Sequence, residues 1–307
     1  MRIIRHLQRT RPRVVSPVVT LGNFDGVHAG HQAIVARVVD AAADRGGEPV
    51  AITFFPHPAR VLAPARAPAP ITSLRERLEA LGGLGIGTIV AQHFTRAFSR
   101  LAPEEFVERY LVEALGAVHV VIGHNVSFGR DRAGNAELLR RAGERYGFTV
   151  EIVGPVRVDG IEVSSTEVRT RLAAGDVAGA TRLLGRSYSI VGRVTVGKRR
   201  GRALGFPTAN VRPRVPPIVP DGVYAVLVEH EGERFGGVAN IGRNPTFGEG
   251  APRTVEAHLF DFDGDLYGER LRVALVARIR GEVRFASPEA LVEQIAADAR
   301  QAREILG

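Results

Sequence analysis

Val18-Val19-Thr20-Leu21-Gly22-Asn23-Phe24-Asp25-Gly26-Val27-His28-Ala29-Gly30-His31 is the stretch that decides the fold of this chain. An apolar, β-branched run reads as a strand, a glycine-punctuated turn follows, and the residues from His31 to about Ala43 read as a helix. A strand that turns through glycines into a helix is the opening unit of a parallel α/β sheet. It also sets backbone N–H groups and the positive end of a helix at one edge of that sheet, where phosphate groups bind. Gly22, Gly26 and Gly30 let the backbone bend and come close to a ligand, and Asn23 and Phe24 lie within the same turn. His28 and His31 stand at the helix entrance and can donate to phosphate oxygens. Such a site stabilises a polyphosphate as charge builds on a pyrophosphate leaving group. A turn capped by histidines with no ligand is the plainer alternative.

Outward from that turn, the first half keeps the same rhythm. Val50–Phe55, Ile86–Val90, His119–Ile122 and Phe148–Val153 read as strands. Between them, Ser73 and Glu76 have the spacing of a capping box for a helix through Leu81. Pro103 opens a helix to about Leu115 with Glu104 and Glu105 in its first turn, and Ala136–Tyr146 is helical. This alternation predicts a parallel sheet covered by helices. After the helical stretch Val177–Leu184 the pattern changes. Ser189–Val196, Gly222–Glu229, Phe235–Ile241, Thr254–Phe260 and Leu271–Glu282 read as strands, and a helix capped by Ser287 runs from Pro288 to about Ala302. Many strands with little helix predict a small antiparallel barrel. The expected domains are 1–184 and 185–307.

Several further clusters carry candidate chemistry. Phe54-Phe55-Pro56-His57-Pro58 ends a strand and holds His57 between prolines, at the sheet edge where ligands bind. Gly123–Gly129 follows another strand, with Asn125 able to read a polar edge of a base or ribose. Ser164, Ser165, Thr166 and Arg169 resemble a helix start that faces an anion. In the second half, Gly192–Asn210 carries Arg193, Lys198, Arg199, Arg200 and Arg202 with no acidic residue, and Gly197, Gly201 and Gly205 make it pliable enough to wrap phosphates. It lacks the Walker A pattern. Thr208 and Asn210 point to the same side if this stretch is extended, and their oxygens suit a hard cation. On Val255–Phe262, alternation puts Glu256, His258 and Phe260 on one strand face, where a carboxylate beside a nucleotide can take a hydroxyl proton. Each cluster has a structural alternative: a rigid turn, a capped helix, a basic hairpin or the polar face of an edge strand.

Composition narrows the class. Over 307 residues, 45% apolar content suffices for ordinary cores. The absence of cysteine excludes disulfides, thiolate nucleophiles and cysteine-based zinc sites. No signal-peptide core follows Met1, and no apolar run approaches the ~18 residues of a membrane span, so a cytoplasmic protein is expected. The net charge of +8 fits polyphosphate substrates or nucleic acid, but the chain has no tryptophan and few aromatics for base stacking.

Taken together, the motifs resemble those of the bacterial bifunctional riboflavin kinase/FAD synthetase family over nearly the whole length. The first half is similar through GNFDGVHAGH (22–31), FFPHP (54–58), LAPEEFV (101–107), GHNVSFG (123–129) and SSTEVR (164–169). The second is similar through GRALGFPTAN (201–210), GGVANIGRNPTF (236–247) and VEAHLFDFDGDLYG (255–268). The resemblance implies a Rossmann-like nucleotidyltransferase domain followed by a six-stranded flavokinase barrel with a terminal helix. It implies phosphorylation of riboflavin by ATP to FMN, then adenylylation of FMN by a second ATP to FAD with release of pyrophosphate. It makes Glu256 the catalytic base, Thr208 and Asn210 ligands of Mg²⁺–ATP, and His28 and His31 binders of ATP phosphates, with Arg169 at the far end of that site. Gly192, Gly197, Lys198, Gly201, Arg202, Gly205, Phe206 and Pro207 would line the kinase nucleotide site. Phe54, His57, Pro58, Asn125 and Phe128 would line the flavin or nucleotide pocket of the first domain. Val126 stands where the family usually has an aromatic residue, and an aliphatic side chain cannot stack on an isoalloxazine in the same way. The partners implied are ATP and flavins, with no nucleic acid or membrane, in a monomer or weak homo-oligomer. Rival readings are a protein with one of the two activities, a nucleic-acid-binding regulator using the basic 193–214 segment, and a flavin store that leaves ATP unconsumed.

Overall fold

Val18 to Leu21 are all buried, as a strand covered on both faces requires, and the run forms an inner strand of a six-stranded sheet in the computed structural model. Residues 1–5, 7, 12–196, 205–243 and 253–307 are described. They divide into two units, Met1–Ser165 and Thr166–Gly307.

The first unit contains β1 (Arg2–Ile4), β2 (Val18–Gly22), β3 (Pro49–Phe55), β4 (Thr88–His93), β5 (His119–Gly123) and β6 (Thr149–Val153). Their order is β1-β4-β3-β2-β5-β6, and every pairing is parallel. The chain leaves β2 toward β3 on one side and leaves β5 toward β6 on the other. The order therefore reverses between β2 and β5, and a crevice opens outside their carboxyl ends. Alternating residues feed two cores. Val18, Ala51, Ile89 and Val121 pack with Val35 and Val38 of α1 (Ala29–Asp44) and Leu78 and Leu81 of α2 (Leu74–Gly83). Val19, Leu21, Ile52, Val120 and Ile122 pack on the other face with Phe106, Leu111 and Leu139, the last from α3 (Ala136–Tyr146). A short antiparallel hairpin, β7 (Arg157–Val158) and β8 (Ile161–Glu162), ends the unit.

The helix expected from Pro103 is present but changes character. Its first turn, Pro103–Phe106, is α-helical, and Val107–Leu115 continues in a wider π-helical form to a left-handed Gly116. Val107, Leu111 and Leu115 together with Tyr110 and Ala114 are all buried, so packing of this broad apolar face overrides ideal helical winding.

The second unit begins within α4 (Ser165–Ala174), at Thr166, and continues with α5 (Val177–Leu184), which packs on the barrel strand β14. Strands β9 (Ser189–Thr195), β10 (Ala209–Pro213), β11 (Gly222–His230), β12 (Glu233–Arg243), β13 (Arg253–Leu259) and β14 (Arg270–Arg280) close in the order β10-β13-β12-β11-β14-β9. Closure leaves no free sheet edge. Gly192 of β9 lies so close to the Arg212 carbonyl of β10 that a Cβ would clash with backbone, so this glycine is required by the barrel wall itself. The last helix, α6 (Pro288–Leu306), lies on β11, β12 and β14. It runs four residues past Ala302, to Leu306, and is tied to the barrel by Arg280, whose guanidinium grips the buried Asp298 carboxylate at 2.7–3.1 Å. Thus the fold is a doubly wound α/β unit followed by an antiparallel barrel with a terminal helix.

Candidate active sites

In the first unit, the turn after β2 opens into the crevice beside β5. His28 caps α1, and its Nδ1 accepts the His31 backbone N–H at 3.4 Å. A neutral His28 therefore carries its proton on Nε2. The His28 and His31 rings stack at 3.7 Å, and Phe24 meets His31 edge-on at 5.1 Å. Burial lowers the His31 pKa well below its ordinary value, reinforced by His28 and then by the Arg77 guanidinium. His31 is thus a neutral imidazole with N–H donor capacity. Among the described residues, His31 Nδ1 and Asn23 Oδ1 are buried without a hydrogen-bond partner. Buried polar atoms are ordinarily satisfied, so two in one turn point to a ligand's polar groups.

The turn is held rigidly. Phe24, Gly26 and Val27 all have positive φ, and at Gly26 (φ +84°) a Cβ would also press on Ile71 at 3.0 Å. Asp25 faces inward, where its carboxylate accepts the Ile71 and Thr72 N–H groups at 3.1–3.2 Å, with Arg77 at 3.8 Å. Thr72 Oγ1 accepts the Gly26 N–H at 3.2 Å. Arg77 in turn donates to Thr53 Oγ1 and the Phe54 carbonyl, and Thr53 Oγ1 donates to the Asn23 carbonyl. Strand β3, helix α2 and the turn are therefore one hydrogen-bonded block. From the end of the unit, Ser165 Oγ donates to the Asp25 carbonyl at 2.9 Å.

The other expected residues of this unit fall in different settings. His57 caps the short helix Pro58–Leu62 through Nδ1, which accepts the Ala59 N–H at 3.2 Å. Phe54 joins Phe94 and Phe98 in an aromatic cluster, and Phe128 is buried against Phe106. Phe128 is a core residue, and Phe54 is half-buried against the same core. Asn125 is exposed at the carboxyl end of β5, and Val126 packs against the core. Thr166 and Arg169 belong to α4 of the second unit.

On the barrel, β10 pairs with β13 so that Asn210 lies opposite Glu256, and β13 pairs with β12 so that Glu256 lies opposite Asn240. Their neighbours Ala209, Val211, Val255, Ala257, Ala239 and Ile241 are buried inward, which turns Asn210, Glu256 and Asn240 outward in one row. Thr195 extends the row across β9, and its Oγ1 donates to the Asn210 carbonyl at 3.3 Å. Thr208 stands immediately before β10, after Gly205 (φ +83°), Phe206 and Pro207. Gly197, Lys198, Arg199, Arg200, Gly201 and Arg202 lie outside the described residues. A cavity of about 340 Å³ opens elsewhere on the barrel, lined by Val191, Glu229, His230, Arg234, Arg270 and Arg272, and contains none of this row.

Residues 12–167 match the FAD synthetase family and residues 184–306 the riboflavin kinase family. The chain is 43% identical to the bifunctional riboflavin kinase/FMN adenylyltransferase of Pseudomonas fluorescens, over 99% of this chain and 98% of that protein. The chain belongs to the bifunctional riboflavin kinase/FMN adenylyltransferase family. The enzyme of that name from Escherichia coli K12 is 41% identical over 94% of this chain and 93% of its own length. A crystal structure from Streptococcus pneumoniae, described as a macrolide-efflux protein, covers 99% of each chain at 33% identity with a TM-score of 0.87. Among the described residues of this chain, no helix is long and apolar enough to cross a membrane.

This is accordingly a two-activity flavin-nucleotide enzyme, a riboflavin kinase and an FMN adenylyltransferase. Sequence reasoning missed the support layer of each half. Asp25, Thr72 and Arg77 hold the histidine turn, and Arg77 could have been noticed as a cation on the apolar stripe Leu74, Leu78, Leu81. Asn240 shares the row of Glu256 through a register that one strand's sequence does not encode.

Proposed function

We propose that this protein phosphorylates the 5′-hydroxyl of riboflavin with the γ-phosphate of ATP, then joins the FMN phosphate to the α-phosphate of a second ATP, releasing pyrophosphate. The adenylyl transfer belongs to the turn 22–31. The buried His31 Nδ1, without a partner among the described residues, carries this reading, and Asn23 Oδ1 in the same turn is left as an acceptor for an N–H or O–H of the ligand. The neutral His31 and the Nε2–H of His28 donate to ATP phosphate oxygens, together with the first N–H groups of α1, and Ser164 and Ser165 belong to the same unit. Charge on the departing pyrophosphate is stabilised there with no covalent intermediate. His57, Pro58 and Asn125 remain the candidates for flavin or base contact, with Phe54 and Phe128 backing them from the core.

Phosphoryl transfer to riboflavin belongs to the row on the barrel. Glu256 takes the proton of the attacking hydroxyl, and the residues flanking it position the nucleotide. The donor set there is hard: the Thr208 hydroxyl and Asn210 amide oxygens, with few protein ligands, suit Mg²⁺ carried in on ATP phosphates. The ion would neutralise charge on the transferring phosphoryl group. Gly192 to Pro207 form the proposed nucleotide-binding stretch. The proposed functional domains are 1–184 for adenylyl transfer and 185–307 for the kinase, since the riboflavin kinase match begins at residue 184. We place the protein in the cytoplasm, as a monomer or weak homo-oligomer.

Incubation of the whole protein with riboflavin, Mg²⁺ and ATP, followed by chromatography of the flavins over time, tests the reading. FMN appears first and FAD after it, with pyrophosphate matching FAD. FMN alone would remove the assignment of the 22–31 turn, and inert riboflavin with active FMN would remove that of the barrel row.

A further inference from the structure

His258 stands two residues after Glu256 on β13, on the same outward face. Its Nδ1 lies 2.8 Å from the Pro207 carbonyl oxygen, across 51 residues of chain. A carbonyl can only accept, so Nδ1 carries the proton. The ring also meets Phe206 edge-on at 5.6 Å and Phe260 at 5.8 Å.

The place of this bond in the ladder gives it meaning. β10 and β13 pair from Val211↔Val255 through Asn210↔Glu256 to Ala209↔Ala257, where the pairing ends. Continued, the register would set Thr208 opposite His258. Proline has no N–H to extend the ladder, and Gly205 before it is in a left-handed turn. The His258 side chain takes over where the backbone stops and ties the Phe206-Pro207 turn to the strand that carries Glu256.

We infer that His258 is a positioning residue of the kinase reaction, fixing the Pro207–Thr208 turn so that Thr208 and Asn210 present their oxygens to Mg²⁺–ATP beside Glu256. The inference rests on the reading of Thr208, Asn210 and Glu256 as the kinase site. The side chain need not touch substrate. It sets the distance between two pieces of chain that both do.

Two variants separate the hydrogen bond from the packing. His258→Phe keeps a ring between Phe206 and Phe260 but removes the donor. His258→Asn places an amide N–H near the position of Nδ1. In the full-length protein, His258→Phe lowers kinase kcat/KM for ATP about tenfold, the scale of one lost hydrogen bond, chiefly through KM. The KM for riboflavin and FAD formation from supplied FMN stay at wild-type values. His258→Asn recovers ATP affinity to within about twofold. Wild-type kinetics in both variants would overturn the inference. So would equal loss in both, or a loss confined to riboflavin KM, since these mark a packing or flavin-side role. Glu256→Gln run in parallel tests the underlying site: full kinase activity there would remove the site itself, whatever His258 does.

Discussion

His31 shows how a single residue's surroundings choose its chemistry. Its ring is stacked on one histidine, edged by Phe24 and placed near a buried guanidinium, so the proton that an exposed histidine would take near pH 6.5 is refused. Neutral, it can donate to a phosphate without competing with Arg77 for charge. A pH dependence of stability follows. In the unfolded chain His31 binds a proton near pH 6.5, whereas in the folded protein it does so only well below that value. Its contribution is fully present above about pH 6.5 and is lost as the pH falls from there toward the lower folded value. His119 shifts in the same direction through burial first and Arg45 second, against the opposing hydrogen bond of Glu151. Carboxylates such as Glu151, lowered by the Arg37 hydrogen bond, lose their contribution only at more acid pH. Thermal melts of the whole protein between pH 7 and 5 therefore show a falling melting temperature. His31→Gln flattens part of that slope and leaves the part due to His119. An unchanged slope in the variant would mean that His31 titrates normally.

At the scale of elements, helix α2 is the piece on which the first site leans. Ser73 and Glu76 close a full capping box: Ser73 Oγ accepts the Glu76 N–H, and Glu76 Oε2 accepts the Ser73 N–H at 3.0 Å. One turn on, Arg77 reaches Asp25, Thr53 and the Phe54 carbonyl. Ser73→Ala removes one arm of the box and leaves an N–H at the helix start unsatisfied. It costs about 1 kcal/mol in urea unfolding, and a change below the error of that measurement would show that tertiary contacts alone fix the helix. This box was legible in the sequence because capping is local. Helix Ala136–Tyr146 and helix Val177–Leu184 show the same local logic in the structure: Asn135 and Asp176 cap their starts, and left-handed Gly147 and Gly185 close their ends. Strand β1 was not, since its short stretch Arg2–Ile4 has no alternation of its own and exists through pairing with β4. Strand β10 was hidden too, because the glycines and prolines around 205–213 read as loop while its ladder partners sit on β9 and β13. The histidine turn could be read as a candidate site from its own residues. What holds it, Ile71 and Thr72, lies 46 or more residues away and is set by tertiary structure.

For the whole molecule, the residues proposed for the two chemistries come from different units: His28 and His31 from Met1–Ser165, and Asn210 and Glu256 from Thr166–Gly307. Each unit has its own buried core and its own sheet. Damage to one set of residues therefore leaves the other folded and chemically intact. Glu256→Gln removes the proposed proton acceptor and lowers FMN formation by about 10²–10⁴-fold, while FAD formation from supplied FMN continues. The double variant His28→Ala, His31→Ala behaves conversely, producing FMN from riboflavin without going on to FAD. Neither variant alone makes FAD from riboflavin at a useful rate. Mixed together with riboflavin, Mg²⁺ and ATP, they do, because FMN released by the intact barrel of one chain is a diffusible substrate for the intact turn of the other. The rate of FAD formation in the mixture rises with the concentration of the Glu256→Gln chain until the kinase step limits it. Failure of the mixture, with each single activity present when assayed separately, would show that FMN passes between sites of one chain without release.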